Sequence, residues 1–201
     1  MNSKNLKLIQ EINSLWKPVY PHLARQIGDL YGRRDGKVLE AGPFCGVLFA
    51  LREMEIGDSF RMAVFPPEMG GFFQEEIKKH EYGKRVGMTE TDPYLKGIPD
   101  CDADLFIFRG AFFFPSLFQV HFREIDRILN PGGMAFIGGG FGKYTPGAII
   151  KEIGKRSREL NLAIGKVEMT ETLVRKQFAG SGVKVEFEVT TEGGLWVVIR
   201  K

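Results

Sequence analysis

A short apolar run that ends in a glycine turn and reopens as a helix does most to limit what this chain can fold into. It occupies residues 37–46. Val38, Leu39 and Ala41 are enough for a buried strand, and Glu40 lies near its end. Gly42 opens the turn, Gly46 closes it, and Val47, Leu48, Ala50 and Leu51 space the helix that follows. Glycine reaches backbone conformations closed to other residues, and a helix start presents unpaired N–H groups. A strand, glycine turn and helix in that order make a place for a small ligand.

The remaining chain repeats the alternation. Residues 3–31 read as helix broken near Pro18 and Pro21, with Leu6, Ile9, Ile12 and Leu15 as one apolar stripe and Leu23, Ile27 and Leu30 as the next. A second strand is predicted over 60–65 and stops at Pro66 and Pro67, which cannot extend a ladder. Pro67 then suits the first turn of a helix holding Met69, Phe72 and Phe73. A short strand is expected over 86–88, a buried one over 105–108, and a helix over 116–129 that carries His121 on its apolar face. Another buried strand over 134–137 runs into the glycines at 138–142, and helices follow over 146–160 and 170–179. The end differs, because Val183, Val185, Phe187 and Val189 alternate and 195–199 is almost continuously apolar. With Gly193 and Gly194 between them, these runs read as an antiparallel hairpin. Strand–helix alternation implies a three-layer, Rossmann-like, mostly parallel sheet with ligands at the carboxyl ends of its strands.

With 201 residues and no internal repeat or linker, one domain over 1–201 is expected, its helical segment 1–31 packing on the rest. Basic residues number 28 against 25 acidic, too even a balance to demand a nucleic-acid partner. Two cysteines, Cys45 and Cys101, cannot make a disulfide framework, and no run reaches the roughly 18 apolar residues of a membrane span. A cytoplasmic protein with no membrane partner is the expectation. His22, His80 and His121 have no metal-ligand spacing.

Four passages resemble the class I S-adenosylmethionine-dependent methyltransferases, over most of the chain from about residue 20. Residues 38–46 are similar to that family's first glycine motif, Pro67, Glu68 and Met69 to the helix start after strand two, and 104–111 to the fourth-strand motif. Residues 123–133, ending Asn130, Pro131, Gly132, Gly133, resemble the passage into strand five of the small-molecule members. The resemblance implies a seven-stranded sheet whose last strand is antiparallel, with S-adenosylmethionine as cofactor and a small molecule as substrate. It places the cofactor near Glu40, Gly42, Phe44 and Gly46, with Arg109 and Gly110 at the end of strand four. It implies a ribose-binding acid at Val64 or Phe65 and an adenine-binding acid at Met88 or Thr89.

The chain departs from the family at these points. Phe44 replaces the central glycine, and Val64, Phe65 and Met88 offer no carboxylate. Two functions follow from the same residues. One is an S-adenosylmethionine-dependent methyltransferase of a small molecule. The other is a degenerate, methyltransferase-like binding or partner protein, alone, as a homodimer or beside another chain, with an altered pocket.

The individual residues divide the same way. Glu40 is a ligand contact or a cap on nearby amides, and Phe44 a lid or a plug. Arg109 pairs with a carboxylate or phosphate of a ligand, or forms a structural salt bridge. Residues 112–114 floor a pocket or fill the core; the glycines at 138–142 with Lys143 wrap an anion or form a mobile loop. Cys45 reads as a buried structural thiol, and no general base can be named. Strand four lacks the Pro-Pro-aromatic signature of enzymes acting on nucleic-acid bases, which argues against that substrate.

Overall fold

The computed structural model describes residues 1–80 and 85–201. Strand β1 (Lys37–Ala41) is exposed at Lys37 and buried from Val38 onward, as a central strand covered on both faces must be. It pairs in parallel with β2 (Ser59–Val64) on one side and β4 (Ala103–Arg109) on the other. Beyond β2 lies β3 (Val86–Glu90), and beyond β4 lies β5 (Leu129–Gly140), both parallel to their neighbours. The terminal strands are β6 (Glu186–Thr190) and β7 (Gly194–Arg200), and the sheet order is β3-β2-β1-β4-β5-β7-β6. Only β7 runs against the others, paired antiparallel to both β5 and β6. The chain moves outward from β1 to β3 and then crosses to β4, so the strand order reverses between β1 and β4. Such a switch point opens a crevice at the carboxyl ends of the strands.

The helices are α1 (Ser3–Leu15), α2 (Tyr20–Tyr31), α3 (Val47–Glu53), α4 (Gly70–Lys79), α5 (Phe122–Ile128), α6 (Gly147–Ala163) and α7 (Glu171–Ser181). The Asn2 side chain caps α1 by accepting the Asn5 N–H at 2.8 Å. A single 3-10 turn at Lys17–Val19 carries the break that the two prolines impose, and Pro21 enters α2 in its first turn. Helix α2 packs on α3, and α1 on α6.

Three elements differ from the sequence-based expectation. The helix expected over 116–129 begins only at Phe122. The preceding segment turns to bury Phe114 and Phe118, which leaves His121 half-buried at the helix start and stacked on Tyr94 with centroids 3.9 Å apart. His121 is therefore not a core residue. Strand β3 runs to Glu90, which places Met88 and Thr89 inside the strand rather than beyond it. Strand β5 continues through Gly138–Gly140, which pair with Trp196, Leu195 and Gly194. A Cβ at Gly138 would strike the Leu195 carbonyl, so glycine here admits the β7 backbone; these glycines are strand and not a mobile loop.

Candidate functional site

Glu40 is fully buried, and its carboxylate is already in use. Oε2 accepts the N–H groups of Gly46 at 2.8 Å and Leu48 at 3.0 Å, and Oε1 accepts that of Val47 at 3.3 Å. It caps the start of α3 from the end of β1. Burial raises the Glu40 carboxyl above its ordinary range, while the Arg109 charge and the three N–H groups pull it down. The turn between them is tied from two further directions. Asn13 Nδ2 donates to the Pro43 carbonyl at 2.8 Å, and Arg109 Nε donates to that of Phe44 at 2.9 Å. Cys45 is buried with its thiol against the Gly42 carbonyl at 3.3 Å, and burial pushes its pKa well up, so it is structural rather than nucleophilic.

Over the ends of β1 and β2 the crevice is filled. A Cβ built on Gly42 would lie 2.8 Å from Phe108 Cε2 and 3.6 Å from Phe65 Cζ, so these rings cover the open face of the glycine. Phe65 meets Phe108 and Phe118 edge-on at 5.7 Å, and Phe108 meets Phe118 at 5.1 Å. Phe44 packs on Phe114 at 5.0 Å and against Gly110. Phe44, Phe65 and Phe108 are each 3% exposed. Val64 ends β2 fully buried, and Phe65 follows it, so neither provides a polar atom from its side chain. An acid does follow β3, which the sequence reading missed. It is Asp92, whose Oδ1 accepts the Tyr94 N–H at 2.8 Å and the Lys96 N–H at 3.3 Å. The Asp-Pro pair at 92–93, a turn signal, could have marked it.

Open space lies on the other side of Phe44. A cavity of about 630 Å³ spans the ends of β4 and β5, bounded by α1, α6 and the segment 166–170. Arg109, Gly110, Phe113, Phe114, Gly139 and Gly140 line its base, and Trp16, Phe141 and Trp196 add broad apolar walls. Trp16 stacks on Phe141 at 4.8 Å and donates its Nε1–H to Ser157 Oγ at 2.9 Å. Asn161 Nδ2 reaches the same Oγ at 3.2 Å. Lys166 stands 5.0 Å over the Phe113 ring, and burial, then the nearby Arg158 charge, lowers its pKa.

The sequence candidates thus separate into two groups. Phe44, Arg109 and Gly110 reach the cavity, whereas Gly42, Val64, Phe65, Met88 and Thr89 do not, and Gly46 with Cys45 borders a separate space of about 100 Å³ beneath α2. Phe113 and Phe114 both floor the cavity and belong to the core. Lys143 lies outside the cavity, its ammonium 4.9 Å over the Tyr144 ring. Among the described residues no group of His, Cys, Asp and Glu is placed to hold a metal.

Comparison with solved structures agrees with this topology. An assigned S-adenosylmethionine-dependent methyltransferase from Methanococcus maripaludis superposes with a TM-score of 0.78 at 27% identity, covering 100% of this chain and 93% of that one. A SAM-dependent methyltransferase from Aquifex aeolicus gives 0.58 at 17% identity, covering 88% and 87%. A geranyl diphosphate methyltransferase in complex with SAM gives 0.59 at 11% identity, covering 90% and 84%. The last two show the fold alone. No family model and no curated protein matches the chain. The fold is that of the class I S-adenosylmethionine-dependent methyltransferases, and the chain is a structural relative of them.

Proposed function

We propose that this chain binds and acts on a small molecule in the cavity at the ends of β4 and β5, on a methyltransferase fold whose donor crevice is closed. The observation that carries the reading is the division made by Phe44. The side over β4 and β5 is open, and the side over β1 and β2 is packed with phenylalanine rings.

S-adenosylmethionine is the cofactor the relatives imply, and its fit here can be judged residue by residue. The glycine turn suits it, but Glu40 spends its oxygens on α3, and Phe65 and Phe108 cover Gly42. No acid ends β2, and Asp92 is held by its own turn. As arranged, β2 offers the ribose no carboxylate and the rings cover Gly42, while Asp92 holds its turn through Oδ1 alone. An aromatic pair is worth about 0.5–1.5 kcal/mol beyond its burial, so parting one pair to admit a donor would weaken its binding roughly two- to tenfold, at 1.4 kcal/mol per tenfold.

A second reading is methyl transfer from S-adenosylmethionine to the same small molecule. The likeness to the Methanococcus maripaludis protein along the full chain favours it. Calorimetric titration with S-adenosylmethionine and its demethylated product separates the two. The first reading expects no detectable heat at millimolar ligand; micromolar affinity establishes the second and removes the first.

Supplying the absent ribose acid does not reopen the crevice. Val64 is fully buried and bordered by Phe65, so Val64→Asp places an unpaired carboxyl in an apolar site. It is expected to cost about 2–3 kcal/mol in chemical denaturation, with no gain in donor affinity. Both cysteines are free, Cys101 being exposed, which supports placing the protein in a reducing compartment. No helix among the described residues is long and apolar enough to cross a membrane.

A further inference from the structure

Four charged side chains line the cavity, and three of them, Arg109, Arg158 and Lys166, are basic against the single acid Glu168. Arg109 is only 5% exposed. Its Nε donates to the Phe44 carbonyl, and its Nη1 is buried without an acceptor among the described residues. No carboxylate forms an ion pair with it among the described residues; the structural salt bridge that its sequence position allowed is absent. The rings of Tyr20 and Trp16 lie 4.6 and 5.1 Å from the guanidinium carbon, and the buried Glu40 carboxyl faces it without an ion pair, so packing holds in place a charge that is only partly offset.

A second donor repeats the pattern. Trp196 is 1% exposed, stacked on Phe136 at 4.4 Å, and its Nε1–H has no acceptor among the described residues. A third is nearby. Ser157 Oγ accepts from both Trp16 and Asn161, which uses its two acceptor sites and leaves its own O–H to be donated. Leaving a buried donor unpaired is costly, and more so for a charged one. Donors with capacity to spare on residues lining one cavity favour a group that only accepts.

We infer that the cavity's ligand carries an oxyanion, a carboxylate or phosphate, held by Arg109 with Trp196 and Ser157 as further donors, and a flat apolar body against Trp16, Phe113 and Phe141. The guanidinium fork suits either oxyanion, and the aromatic walls supply the remaining contact area. This rests on the proposed cavity, and names the class of molecule it takes; it does not depend on whether a methyl donor binds.

The two tryptophans of the chain, Trp16 and Trp196, both line the cavity, so intrinsic fluorescence reports on it directly. Benzoate, phenyl phosphate and uncharged benzamide serve as probes. At least one anion is expected to change the emission saturably, with affinity about tenfold or more above that of benzamide. Arg109→Gln should abolish that preference. Because removing a buried arginine threatens folding, Trp196→Phe provides a second variant that keeps an aromatic ring against Phe136 and deletes the N–H together with the rest of its five-membered ring. Followed through Trp16, it should weaken the anion several-fold and leave benzamide unchanged. Benzamide binding as tightly as both anions overturns the oxyanion inference while sparing the cavity. Failure of all three probes at millimolar concentration overturns the cavity reading and the inference with it.

Discussion

Replacing Glu40 with alanine is expected to lower stability by about 3–5 kcal/mol, the range for removing one partner of a buried charged network. Three amides, those of Gly46, Val47 and Leu48, lose their acceptor inside a buried turn. The Arg109 guanidinium also loses the negative charge that faces it, and no other carboxylate among the described residues is paired with it. Glu40→Gln should lie between wild type and alanine, since its amide keeps one acceptor oxygen but turns a donor toward donors. Urea denaturation at neutral pH measures both. Loss of less than about 1 kcal/mol for the alanine variant, the value of an ordinary exposed contact, would show that Glu40 does not hold the turn.

Phe108→Ala has an effect of similar size for a different reason. The ring touches Phe65, Phe106 and Phe118 and lies over Gly42, so its removal leaves an apolar hole where the fold's crevice would be. A cost of about 3–5 kcal/mol is expected for such a truncation. The hole is lined by carbon and should stay dry, so benzene should bind the variant and raise its melting temperature while leaving wild type unmoved. A variant as stable as wild type would mean that Phe108 is not packed there. A stable gap that ignores benzene would mean that the neighbouring rings had collapsed into it.

Much of the architecture can be read from local pattern. The strand at 37–41, the turn through Gly42 and Gly46, the buried strand at 105–108 and the closing hairpin each announce themselves through periodicity or glycine and proline placement. Phe44 already stood out as a substitution inside a glycine turn. Its meaning comes from Phe65 after β2 and from Phe108, Phe114 and Phe118 around the end of β4, which lie too far along the chain for a local window to join them to Phe44. Glu40 is similar: both readings of it were available, and three amide contacts select the cap. Arg109 shows the opposite limit. Its position at a strand end suggested an anion or a salt bridge, and only the absence of a paired carboxylate among the described residues favours the anion. The acid after β3 was misplaced because β3 extends two residues further than its apolar run, carried by backbone pairing with β2 through Thr89 and Glu90.

The glycine turn thus keeps its place at the centre of the fold, while the proposed ligand site lies across Phe44 at the ends of β4 and β5. An amide correlation spectrum of the nitrogen-labelled protein titrated with S-adenosylmethionine tests this most directly, because the turn and the cavity report separately. The account predicts that the amides of Gly42, Cys45 and Gly46 hold their positions at millimolar S-adenosylmethionine. Saturable shifts of those amides at micromolar concentration would contradict it.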